Sequence, residues 1–67
     1  MDILNCNPTS AKLRVHFNEL QLLNNALNEV CNGIDIADFE FQTRLGVTRE
    51  EARSLLGQIN GLIKDMK

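Results

Sequence analysis

The segment from Thr48 to Met66 constrains the fold of this chain more than any other. Thr48-Arg49-Glu50-Glu51 spells a capping box, in which the Thr48 hydroxyl accepts from the backbone N–H of Glu51 and the Glu51 carboxylate returns the bond. Ala52, Leu55, Leu56, Ile59, Leu62, Ile63 and Met66 then recur at i, i+3, i+4 and i+7, the spacing of one apolar helix face. Glu50 and Glu51 suit the positive end of the helix dipole, and Lys64 and Lys67 suit the other. Gly57 and Gly61 fall on the polar side at GxxxG spacing and cost about 1 kcal/mol each relative to alanine, so fraying is expected after Ile59.

A helix of this length in a chain of 67 residues needs other amphipathic elements to cover it. Leu20, Leu23, Leu27, Val30 and Cys31 supply a second apolar stripe. Asn18-Glu19-Leu20-Gln21 offers an N-cap with a glutamine three positions on, and Gly33 offers a left-handed C-cap. Leu22 lies well off this stripe at 100° per residue and is free to touch a second element or subunit. Asn24, Asn25, Asn28 and Asn32, half of the eight asparagines, are expected on the face away from the leucines, either as a solvated polar face or as amides that bond a partner. Between the two long helices, Asp35 to Leu45 reads as a short helix stopped by Gly46. Phe39 and Phe41, two residues apart, would point in nearly opposite directions on it.

Ahead of the helices, Asn7-Pro8-Thr9-Ser10 favours a turn, and Lys12-Leu13-Arg14-Val15-His16-Phe17 alternates strictly, which aligns Leu13, Val15 and Phe17 on one strand face. Asp2 to Cys6 can pair with that strand as a hairpin. A two-stranded ribbon is barely stable alone, so its face or its free edge is a dimerisation candidate.

Seven basic against nine acidic residues give a net charge of -2 with no block of either sign, which exerts no strong pull toward nucleic acid or anionic membrane. Neither a basic leader nor an apolar run of membrane-spanning length is written, so a cytoplasmic protein is expected. Cys6 and Cys31 lack CxxC spacing and read as reduced thiols, at least one of them in the core. His16 is the sole histidine, Ser10 and Ser54 stand in no activating motif, and no metal-ligand spacing or phosphate-cradling glycine loop occurs. No catalytic residue, cofactor, metal or small-molecule substrate is expected.

Phe41 to Leu56 resembles the helix-turn-helix of many bacterial regulators, with Leu45-Gly46-Val47 as the turn, Thr48 as the cap of the second helix, and Ala52 and Leu55 as its buried positions. The resemblance implies DNA contacts from Thr48, Arg49 and Arg53, with Arg44 on the phosphate backbone. Gln42 stands where that family usually carries a small residue, and Glu50 and Glu51 would face phosphates.

These readings combine into one mainly α domain over residues 1–67. A strand or hairpin arm over 1–17 precedes a compact three-helix body over 18–67, whose last two helices resemble a helix-turn-helix. The helices are expected near 19–32, 36–45 and 49–65, packed around Leu20, Leu23, Leu27, Val30, Phe39, Leu45, Leu55, Leu56 and Ile59. The expected function is a non-catalytic protein-interaction module of the inhibitor, adaptor or antitoxin-like kind, a homodimer with Leu22, Asn25, Asn28 and Glu29 facing a protein partner. DNA binding is the alternative.

Overall fold

The computed structural model describes residues 1–33 and 35–66. Strands β1 (Asp2–Cys6) and β2 (Ala11–Arg14) form an antiparallel hairpin. Helix α1 (Phe17–Asn28) continues into a π-helical turn (Glu29–Gly33), followed by α2 (Asp38–Leu45) and α3 (Arg49–Asp65). The expected mainly helical fold with an N-terminal hairpin is therefore the observed one.

The hairpin turns as its asparagine predicts. Asn7 Oδ1 accepts from the N–H groups of Thr9 and Ser10, both at 2.9 Å, and the Asn7 N–H donates to the Ser10 carbonyl, also at 2.9 Å. The second strand is shorter than the alternation suggested. It stops at Arg14, and Phe17 opens α1 instead of extending the strand face. The N-cap is accordingly His16 and not Asn18, because the Glu19 carboxylate reaches back to accept the His16 N–H at 3.0 Å. A charged carboxylate at this position is a stronger acceptor than the Gln21 amide would be for Asn18.

Gly33 is not a left-handed cap. Among the described glycines only Gly46 has a positive φ, of 77°, and its N–H closes α2 on the Gln42 carbonyl at 2.8 Å. The first helix ends instead by widening, and this π-helical turn includes Cys31, which is buried.

The tightest core joins three elements: Cys31 from the π-helical turn, Phe41 from α2 and Ala52 from α3, flanked by Val30, Ile36 and Leu56. Leu20 and Ile63 are buried as well. Of the expected core residues, Leu27, Val30, Leu56 and Ile59 are half-buried. Leu23, Leu45 and Leu55 lie exposed at the margins. Phe39 is a clear correction: it is 74% exposed while Phe41 is fully enclosed. Two residues on a helix are about 200° apart, so only one ring can face α3, and the small Ala52 leaves room for Phe41.

Helix α3 does not fray after Ile59. It runs unbroken through both glycines to Asp65, because Leu56, Ile59 and Ile63 continue its inward line beyond Gly57. An added Cβ at Gly57 or Gly61 would meet open space, so the GxxxG spacing marks no close backbone approach within the chain.

Candidate functional site

Two surfaces and one internal cluster account for the residues singled out by the sequence. The first surface is the outer side of α1. Leu22 is 68% exposed there, and Asn25, Asn28 and Glu29 are exposed with it. Asn28 Oδ1 accepts from Asn32 Nδ2 at 3.0 Å, linking the α-helix to the π-helical turn. Asn24 departs from the expected asparagine face: it is half-buried, with Oδ1 sealed from solvent and without a hydrogen-bond partner among the described residues.

The second surface is the hairpin, whose strands pack against no helix among the described residues, the charged ties at its base aside. Its register carries information that the sequence alternation concealed. Ile3 pairs with Leu13 and Cys6 with Ala11, whereas Asp2 pairs with Arg14 and Asn5 with Lys12, with a bulge between Ile3 and Asn5. Directly paired residues point to the same side of a sheet. The bulge absorbs one residue and shifts the parity of β1, so Ile3, Cys6, Ala11 and Leu13 share one face and Asp2, Asn5, Lys12 and Arg14 the other. Leu4, the extra residue at the bulge, aside, one side is apolar and the other polar. Ile3 on the apolar side is 72% exposed, and Cys6 and Leu13 are exposed with it.

Charges hold the hairpin at its base. The N-terminal ammonium meets Glu19 Oε2, Asp2 Oδ2 lies 3.5 Å from His16 Nε2, and Asp2 Oδ2 lies 3.8 Å from Arg14 Nη1. The hydrogen bond from the ammonium, followed by that from the His16 N–H, lowers the Glu19 pKa below its ordinary value. These ties fix where the hairpin leaves the body and leave its apolar face uncovered.

The internal cluster centres on Arg49, a residue the helix-turn-helix resemblance assigned to DNA. Its side chain is only 14% exposed. Nε donates to Asp38 Oδ1 at 3.1 Å, Nη1 to the Cys31 carbonyl at 3.1 Å and Nη2 to the Ile36 carbonyl at 2.6 Å. The guanidinium also stacks over the Phe41 ring, 4.6 Å from its centroid. A cation at the first position of α3 is unfavourable for that helix dipole. Here it reaches across to a carbonyl in the final turn of the preceding helical run, where positive charge is favoured. On this geometry its donors join the π-helical turn, the segment before α2, and α2 to α3.

The rest of the helix-turn-helix set is dispersed in role. Arg44 and Arg53 are exposed. Thr48 is half-buried and engaged in the expected capping box, with Thr48 N–H to Glu51 Oε1 and Glu51 N–H to Thr48 Oγ1 both at 3.2 Å. Nothing in residue order announces the Arg49 cluster, since its acceptors are mainly backbone carbonyls. The hairpin bulge had one available signal, the adjacent apolar pair Ile3-Leu4 interrupting the alternation.

Among the described residues no cluster of ligating side chains could hold a metal ion. A shallow hollow of about 70 Å³ beside the hairpin turn is far smaller than a typical ligand site of 300 Å³ or more. No helix among the described residues is long and apolar enough to cross a membrane.

The overall dimensions bear on both surfaces. The extents are 35 × 32 × 15 Å and the radius of gyration is 13.4 Å, against about 11 Å for a compact domain of this length. The accessible surface is 5260 Å², against about 4,300 Å² for a folded monomer of this mass. The flat shape thus leaves about 1,000 Å² more surface than a compact monomer would expose. Comparison of the chain with protein families, with curated proteins and with solved structures returns no match.

Proposed function

We propose that this chain is a small non-catalytic protein-interaction module that pairs with itself and presents the outer side of α1 to a protein partner. The excess exposed surface carries this reading, because large apolar side chains, among them Leu22 at 68% and Ile3 at 72%, stand exposed on it. Leu22 is the anchor, ringed by the amides of Asn25 and Asn28 and the carboxylate of Glu29, which can bond a partner's polar groups at the rim. Such a surface suits an inhibitor, adaptor or antitoxin-like protein, and the two unpaired thiols suit a reducing cytoplasm.

The test compares immobilised wild-type chain with Leu22→Asp as baits. Circular dichroism should show the same helical content in both, because Leu22 points to solvent. Proteins retained by the wild type should be lost from the variant. Equal retention by both baits, or unfolding of the variant, would contradict the role given to Leu22.

A second reading rests on the α2–Gly46–α3 corner, whose left-handed turn joins two helices in the manner of a DNA-binding regulator. Arg44, Thr48 and Arg53 remain its candidate contacts. It stands second because Arg49 is engaged internally and Glu50 and Glu51 open α3. Measurable affinity for mixed duplex DNA, with a salt slope reduced by Arg44→Ala and Arg53→Ala together, would promote it.

A further inference from the structure

We propose that the apolar face of the hairpin seats on α3 of a second copy of this chain, and that the exchange is reciprocal. This inference rests on the self-association reading above and specifies its geometry. Its starting point is the sorting of the hairpin into an apolar face, Ile3, Cys6, Ala11 and Leu13, and a polar face, with no helix among the described residues packed on its strands. A two-stranded ribbon needs such cover to be stable.

The same chain carries a complementary apolar line. Leu55, Leu62 and Met66 lie at i, i+7 and i+11 on one flank of the buried stripe of α3, and all three are exposed. That line is about 16 Å long at 1.5 Å per residue. The apolar hairpin face from Ile3 to Cys6 spans about 10 Å at 3.4 Å per residue, so it fits within the line.

Two observations favour a second copy as the occupant. The excess area of about 1,000 Å² is close to the roughly 800 Å² that each partner buries in a standard interface. Both halves of the contact are also present on one chain, so reciprocal docking closes around a twofold axis and leaves neither exposed. Docking by the face is favoured over pairing by the strand edge, because the bulge in β1 and the charges of Lys12 and Arg14 in β2 blunt both edges.

The experiment mixes carbon-13-labelled and unlabelled full-length chain and records nuclear Overhauser effects between chains, with sedimentation equilibrium on the same sample. The expected result is a dimer with inter-chain contacts from the methyls of Ile3 and Leu13 to those of Leu55 and Leu62. Leu13→Asp should weaken dimerisation by about tenfold or more. Because that change could also open the hairpin directly, Leu62→Asp on the receiving side provides the independent variant, which leaves every hairpin residue unchanged and should weaken dimerisation as much. Leu22→Asp should leave the dimer unchanged. A dimer whose inter-chain contacts join Leu13 to Leu13, or run through Leu22, overturns the exchange. A monomeric wild-type chain overturns it as well, and if that chain still captures a partner through Leu22 the partner-binding reading stands without it.

Discussion

The corner built around Arg49 and the hairpin arm solve the same problem in different ways. At the corner, one guanidinium gathers a carbonyl of the π-helical turn, a carbonyl of the loop before α2, a carboxylate and an aromatic ring, and Phe41 beneath it is fully enclosed. In the arm, an equally clear division into apolar and polar faces is left half unused, because the strands pack against no helix among the described residues. The difference teaches that a short chain can complete one core internally and still display a second, unfinished one. The unfinished part is where association is to be sought.

The sharpest way to break this comparison is to damage the corner. Phe41→Ala should cost about 3–5 kcal/mol, enough to abolish cooperative thermal unfolding of so small a domain, whereas Ile3→Ala in a dilute sample should shift the helical transition little. Comparable losses from both would show that the arm is as integral as the corner. Arg49→Lys keeps the charge and discards the planar fork, and a loss of about 1–3 kcal/mol is expected by chemical denaturation. A neutral result would remove the guanidinium from the account of what holds the π-helical turn to α3.

Smaller effects sharpen the same picture. Asn24→Leu removes a sealed, unpartnered amide oxygen and should stabilise the helical body by about 1 kcal/mol in thermal melts. Gly57→Ala and Gly61→Ala should add about 1 kcal/mol each, since both positions are helical, exposed and free of neighbours. Destabilisation by that pair would mean that a second backbone does approach the glycine side. Glu19 ties arm to body by charge, and its lowered pKa means that its contribution is complete above the pKa of the unfolded carboxyl and disappears as pH falls through the lowered folded value. Acidification should therefore loosen the hairpin resonances in an NMR titration before the corner resonances move, and Glu19→Gln should cancel that ordering.

The legible parts of this fold were those governed by local rules. The Thr48 capping box, the asparagine turn at Asn7 and the stop at Gly46 each depend on side chains within four residues of one another, and each forms as written. The illegible parts were choices made by distant neighbours. Periodicity could not say whether Phe39 or Phe41 would turn inward, since the answer lies in the small Ala52 across the core. It could not find the partners of Arg49, which are mainly carbonyls with no residue signature. The hairpin faces were hidden for a different reason: a bulge inverts side-chain parity, and strict alternation assigns every following residue in β1 to the wrong side. Leu22, by contrast, was legible because a lone leucine off the main stripe has no inward direction available.

Amide hydrogen exchange followed as a function of protein concentration tests the division between corner and arm most directly. The account predicts that the amides of β1 and β2 lose protection on dilution, as the second copy departs, while those of α2 and α3 around Arg49 stay protected in the dilute monomer. Arm amides that remain as protected as the corner at the lowest concentration would contradict it, because the hairpin would then be stable without cover from a second chain.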